Sequence, residues 1–252
     1  MSGHSKWSTI KRAKGVEDAK RGKIFTRIGR DIMIAAREGG SGDENSNGKL
    51  KIAVLKAKAA NMPKENIERA IKRGLGEGGD GIQMDEITYE GYGTDGIAFM
   101  IDVLTDNKNR SLADVKRVLN RAGGALASAG SVGWQFTQKG YLQVKSDKVD
   151  FDELFMTAAD AGADDVTEEE EGFAVYTPRE MLAAVENALS AAGYTVNESE
   201  LYWQANNETE VTVERAVANM KLHEALEELD DVQGVASNLL VNDDVLAALE
   251  TA

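Results

Sequence analysis

The sequence predicts an α+β protein: an N-terminal three-helix domain followed by two α/β domains, one of them ferredoxin-like and inserted in the other. Three observations carry this. Apolar residues recur at helical spacing through the first 74 positions. Five glycines then fall within eight residues, Gly74-Leu75-Gly76-Glu77-Gly78-Gly79-Asp80-Gly81, and mark a boundary. Beyond them, strand-like alternation is interleaved with short helical runs. The predicted domains are 1–74 (basic, helical), 82–136 with 208–252 (discontinuous α/β) and 137–207 (the insertion).

The head contains the first three helices. From Lys20 to Arg37, the residues Ile24, Ile28, Ile32 and Ala35, with Phe25 beside them, fill one arc of a wheel turning about 100° per residue. Lys20, Lys23, Arg27, Arg30 and Arg37 fill the neighbouring arc, so one face is core and the next a cationic stripe. A glycine-, serine- and asparagine-rich loop spans 39–48. A second helix follows over 49–60, burying Leu50, Val54 and either Ala57 or Leu55. Pro63 stands at a first helical position and Gly74 just past Lys72-Arg73, which predicts a third helix over 63–73 with Ile67, Ala70 and Ile71 facing inward.

After the glycine run, 82–90 and 97–104 read as strands of a hairpin turning at Gly91–Gly96. Ser111, with Asp114 three residues on, predicts a capped helix start, and Gly123-Gly124 its end. From Gly140 the order becomes strand 141–145, helix from Asp150 to Ala161, strands 163–166 and 173–176, helix 178–192 opened by a Thr177-Pro178-Arg179-Glu180 capping box, and strand 194–203. That β-α-β-β-α-β order is ferredoxin-like. A helix over 213–229 and a strand over 232–241 remain, and joining them to the earlier hairpin and helix makes the ferredoxin-like unit an insertion.

Composition narrows the chemistry. The 252 residues include no cysteine, which removes disulfides, thiolate metal sites and cysteine nucleophiles, and only two histidines, His4 and His223, at opposite ends of the chain. No apolar run is long enough to span a bilayer and the first residues lack a secretory h-region, so a cytoplasmic protein without membrane contact is expected. Net charge is −14, but its distribution is uneven. Residues 1–73 carry 18 Lys and Arg against 8 Asp and Glu, whereas 150–252 carry 3 against 25. A basic head on an acidic body points to a polyanionic partner for the head.

Individual motifs fare unequally. Gly91-x-Gly93-x-x-Gly96 matches a dinucleotide fingerprint, but the strand-like Ile97–Ile101 stands where the fingerprint needs a helix, so a hairpin turn is the better reading. Ser8-x-x-Lys11 lacks the partner motifs of acylating serine enzymes. The run Glu168–Glu171 lacks the spacing of a calcium loop and reads as a solvated turn. His223 reads as a helix-surface or core residue. No catalytic constellation, cofactor or metal site is predicted. The head is different. Lys6, Lys11, Arg12, Lys14, Lys20, Arg21, Lys23, Arg27 and Arg30 place nine cations within 25 residues. Trp7 either stacks on a base or pins the arm to the helices. Lys108 and Arg110, before a helix start, form a second candidate phosphate contact.

These segments also carry a resemblance. Gly3-His4-Ser5-Lys6-Trp7, Asp18-Ala19-Lys20-Arg21-Gly22-Lys23-Ile24-Phe25, Asn61-Met62-Pro63-Lys64, Tyr89-Glu90-Gly91-Tyr92-Gly93, Thr105–Arg110, Gly130-Ser131-Val132 and Asp230-Asp231-Val232-Gln233 resemble, in order and over nearly the whole chain, the YebC/PmpR family. The resemblance implies three domains with one α/β domain inserted in another, and no cofactor or chemical step. It implies DNA-binding transcriptional regulation, or, by its likeness to the mitochondrial translational activator of cytochrome oxidase, ribosome binding that relieves stalling at proline runs. The chain departs from the family pattern at Ser41-Gly42-Asp43-Glu44, at Thr94-Asp95 and at Ala236, which touches loop contacts only. The start at Gly3–Trp7, with no transit extension, suggests a bacterial form.

The expected function is therefore a non-enzymatic, cytoplasmic nucleic-acid-binding regulator of gene expression, with promoter DNA or ribosomal RNA as partner. The acidic body would position the head or contact the ribosome or another protein.

Overall fold

The computed structural model describes residues 21–44, 46–77, 84–145, 149–169 and 172–250. Of the predicted site residues, Lys6, Trp7, Lys11, Arg12, Lys14 and Lys20 lie outside these. The fold is α+β, with helices first and two four-stranded sheets after them. The chain separates into two compact units, one holding Ile28–Gly79 and Gln138–Tyr202, the other Asp80–Thr137 and Trp203–Ala252 together with the described residues up to Arg27.

The first unit holds α1 (Arg21–Gly39) from Ile28 onward, α2 (Gly48–Ala59) and α3 (Lys64–Gly74), which follow the apolar periodicity of the head. Ile32, Ala35 and Ala36 of α1 are buried, as are Leu50, Ala53, Val54 and Ala57 of α2; Leu55 is exposed, so Ala57 takes the inward place. Asn47 fixes the turn between these helices. Its Oδ1 accepts the Leu50 N–H at 3.1 Å as the α2 N-cap, and its Nδ2 donates to the Ala35 carbonyl at 2.7 Å. Pro63 precedes α3 as its cap rather than forming its first turn. Gly74 ends α3 in contact with the Met33 carbonyl and Ala36, where a Cβ has no room.

The sheet of this unit has the order β5-β6-β4-β7, from β4 (Phe136–Lys145), β5 (Asp165–Glu169), β6 (Gly172–Pro178) and β7 (Val196–Ala205). With α5 (Phe151–Asp160) and α6 (Leu182–Ala191) between them, this is the ferredoxin-like arrangement. Asp150 caps the first of these helices as predicted, accepting from the N–H groups of Asp152 and Glu153. The Thr177 capping box does not form. Thr177 is fully buried at the end of β6, its hydroxyl donates to the Pro178 carbonyl, and a single 3-10 turn, Arg179–Met181, intervenes before the helix. Burial of the strand end outcompetes the local cap.

The second unit is built on a sheet of order β3-β1-β2-β8, in which β8 is Val232–Ser237. Strands β1 (Asp85–Tyr92) and β2 (Ala98–Thr105) form the predicted antiparallel hairpin, in register from Asp85↔Thr105 to Tyr92↔Ala98. The Gly91–Gly96 segment is thus a hairpin turn, with Asp95 in the left-handed region at φ 56°. Alternation along β2 divides two cores. Ile97, Phe99, Ile101 and Val103 pack with α4 (Lys108–Arg121) and α7 (Val213–Glu227), while Ala98 and Met100 pack with Val132 and Phe136. His223 is a core residue of α7, edge-on to Phe99 with ring centroids 6.3 Å apart. The two-residue strand β3 (Ala125–Leu126) and a last helix, α8 (Asp243–Glu250), complete the unit; neither was predicted. The predicted start of α4 moves by one turn. Asn107 is its cap, accepting the Arg110 N–H at 3.1 Å, and Ser111 is buried within it.

Candidate nucleic-acid interface

Helical spacing sets Arg27, Arg30 and Arg37 along one side of α1, across the helix from the side that buries Ile32, Ala35 and Ala36. The backbone of Arg21 and Lys23 is helical, Arg27 and Arg30 are half-buried, and Arg37 is exposed. Four further cations, which the sequence reading does not single out, lie on α2 and α3. Lys51 on α2 and Arg69, Lys72 and Arg73 on α3 are exposed and make no ion pair among the described residues. Arg69, Lys72 and Arg73 stand at i, i+3 and i+4, one side of α3, a spacing legible in the sequence. Other lysines of these helices are tied down: Lys49 to Glu38 at 2.7 Å, Lys58 to Glu44 at 3.2 Å and Lys64 to Glu68 at 3.7 Å. Lys56 is the most enclosed. Its ammonium meets Glu198 at 2.9 Å and Glu200 at 3.6 Å on β7. Burial lowers its pKa, but the two carboxylates outweigh burial and leave it raised.

Lys108 and Arg110 are engaged within their own unit. Lys108 Nζ lies 3.0 Å from Asp85. Arg110 donates through Nη2 to Asp231 at 2.7 Å and to Asp106 at 2.8 Å. Asp231 also accepts from the Ser111 hydroxyl at 2.5 Å and the Thr105 hydroxyl at 3.0 Å. Hydrogen bonding to Asp231 holds the Arg110 guanidinium above its ordinary pKa. The Thr105–Arg110 and Asp230–Gln233 segments thereby meet as one charge cluster that pins the β2–α4 loop.

A second junction displays an aromatic ring. The Glu90 carboxylate accepts N–H groups of Gly130 and Val132 at 2.6 Å each and of Gly133 at 2.9 Å. Burial pushes its pKa up, but the N–H groups of Val132, Gly130, Gly133 and Ser131 outweigh burial and hold it below the ordinary value. From the turn so held, Gly133–Gln135, Trp134 projects with 74% of its surface exposed. The sequence reading missed it; its signal is a tryptophan between two glycine-rich turns and a strand. The third tryptophan, Trp203, is instead half-buried and donates to Asp102 at 2.9 Å. Among the described residues, no group of three or more metal-ligating side chains is assembled, and no helix is long and apolar enough to cross a membrane.

Comparison with known proteins places these features in context. Residues 5–77 match the TACO1/YebC protein N-terminal domain, and residues 84–239 match the TACO1/YebC second and third domain. A Fusobacterium nucleatum protein named a probable transcriptional regulatory protein is 46% identical over 251 residues, covering 99% of this chain and 100% of its own. One of the same name from Acidithiobacillus ferrooxidans is 49% identical over 250 residues, covering 99% of each. The crystal structure of a conserved hypothetical protein from Aquifex aeolicus superposes with a TM-score of 0.79 at 40% identity, covering 90% of this chain and 93% of that one.

Proposed function

The chain belongs to the TACO1/YebC family, and from that premise we propose that it is a non-enzymatic regulator of gene expression that binds DNA through its basic helical head. The observation that carries the reading is the charge of that head. Residues 1–73 hold 18 cations against 8 acidic residues. Arg27 and Arg30 follow one side of α1, and Lys51, Arg69, Lys72 and Arg73 are exposed without an ion pair among the described residues. Such cations bind phosphates by releasing condensed counterions. The names of the bacterial relatives support transcription as the level of action.

The contact set we assign is Lys6, Lys11, Lys20, Arg21, Lys23 and Arg27, with Arg12, Lys14, Arg30 and Trp7 beside them. Lys108 and Arg110 stand apart from it, since Asp85, Asp106 and Asp231 already hold their charge. The acidic 150–252 segment repels a polyanion and so directs its encounters to the head. Within this reading the chain divides into 1–74, 82–136 with 208–252, and 137–207.

The test is sedimentation of cell lysate through a sucrose gradient, with and without DNase, for the parent and for the Lys20→Glu, Lys23→Glu, Arg27→Glu variant. A fast-sedimenting fraction lost on DNase treatment and absent in the variant supports the reading. Co-migration with ribosomal subunits that survives DNase makes the protein a ribosome-binding translation factor instead.

A further inference from the structure

We propose that Trp134 is a stacking platform for an unpaired base of single-stranded nucleic acid, an inference that rests on the nucleic-acid reading above. Trp134 is the most exposed large apolar side chain among the described residues. Its exposure is not the consequence of a loose loop. Val132 on one side and Phe136 on the other are buried, at 0% and 6% exposure, against Ala98 and Met100. Glu90 holds the N–H groups of Gly130, Val132 and Gly133 from beneath. The Asn206 side chain donates to the Trp134 carbonyl at 3.1 Å, and the Asn206 N–H to the Gln135 carbonyl at 2.8 Å. The turn that carries the ring is therefore fixed at both ends and along its length.

The ring itself is oriented. Its indole N–H donates to the Ser131 carbonyl at 3.1 Å, an oxygen that also accepts from the Tyr92 hydroxyl at 3.3 Å. With its donor engaged, the indole offers a partner only its π-face. A protein-docking anchor is surrounded by apolar side chains that exclude water from it. The residues bonded to Trp134 or next to it in the chain are Ser131, Gly133, Gln135 and Asn206, small or polar, and the apolar residues two positions off, Val132 and Phe136, are buried and form no rim. A rigid, solvent-facing aromatic without an apolar rim is suited to stacking a base, whose other face and edges stay in water. The Glu90 charge beneath the turn is satisfied by backbone N–H groups and so opposes a nearby phosphate less than a bare carboxylate does.

The experiment titrates the full-length chain with labelled single-stranded oligoadenylate, as RNA and as DNA, by fluorescence anisotropy across a salt series. Trp134→Ala should weaken binding of at least one strand about tenfold, the range measured for single stacked bases. Trp134→Phe should retain most of the affinity. The slope of log K against log salt should be the same in all three proteins, because no phosphate contact is removed. Thermal melting of both variants should match the parent, the side chain being exposed. Parent affinity undiminished in Trp134→Ala overturns the proposal and leaves the basic head as binding surface. If that variant then loses cross-linking to protein in lysate, the ring is a protein contact. Failure of the parent to bind either strand or duplex DNA overturns both this proposal and the reading beneath it.

Discussion

Arg110 Nη2 lies 2.7 Å from Asp231 Oδ2, joining the first turn of α4 to the residue that leads into β8. The carboxylate is only 8% exposed and is shared by the Ser111 and Thr105 hydroxyls, whereas the guanidinium is 47% exposed. The pair is thus a loop clamp with one wet end, and the two residues should respond differently to removal.

Asp231→Ala removes the acceptor that two buried hydroxyls share and leaves Arg110 only Asp106 as a carboxylate partner. It should cost about 2–3 kcal/mol of stability by urea denaturation. Arg110→Ala removes only the partner that water can replace, and should cost about 1 kcal/mol. Because its charge is already held, Arg110→Ala should leave the salt slope of DNA binding unaltered. A slope reduced by about one would make Arg110 a phosphate contact after all.

Glu90 gives a pH dependence of defined sign. Backbone N–H groups stabilise its ionised form in the folded state, so its folded pKa lies below the unfolded value. Its contribution is present above the unfolded carboxylate pKa of about 4.3 and is lost as pH falls through the lower folded value. Glu90→Gln keeps the shape but faces an amide against N–H donors, and should destabilise by about 1–2 kcal/mol at neutral pH. Comparing the two proteins by thermal melting between neutral and acid pH, the difference should shrink on acidification; a constant difference would mean that the charge is not what the nest recognises.

How much of this was legible in the sequence depends on range. Elements fixed by local chemistry came through: Asp150 caps its helix, Gly91–Gly96 turns its hairpin, and the strand-like run from Ile97 gives β2. Local signals failed where tertiary burial decided between two uses of one residue. Thr177 has the sequence of a cap and the environment of a buried strand end, and Ser111 has the sequence of a cap and the place of a core hydroxyl. The α8 helix carries a readable start, Asn242 with Asp243 and Asp244, and the strand expected over 232–241 ends four residues sooner, at Ser237. The cations of the head could be counted in the sequence, but their partners could not. That Asp231 holds Arg110, or that Glu90 seats the turn of Trp134, requires knowing which strands are neighbours.

Lys56 tests how α2 is held to β7. It meets Glu198 and Glu200, whose two carboxylates would otherwise face each other without compensation. Lys56→Met should destabilise the protein by about 1–2 kcal/mol, and adding Glu198→Gln and Glu200→Gln should recover most of that loss. The double-mutant logic isolates charge from packing, since methionine keeps the apolar stem. Chemical denaturation of the four combinations measures it; independent, additive losses would show that the lysine's charge is not coupled to these two carboxylates.

The last expectation concerns the side of α3. Arg69, Lys72 and Arg73 are exposed and make no ion pair among the described residues, so beyond the favourable place of Lys72 and Arg73 in the last turn of α3 their charge has no partner within the described fold. Exposed cations of this kind are either solvated bystanders or phosphate contacts, and counterion release separates the two. Each phosphate contact contributes about −0.9 to the slope of log K against log salt on duplex DNA. The variant Arg69→Gln, Lys72→Gln, Arg73→Gln should therefore lower the magnitude of that slope by about 2–3 and weaken binding most at low salt, with melting temperature little changed. An unaltered slope would confine the contact surface to α1 and the residues before it, and would make α3 a support for the head rather than a part of its interface.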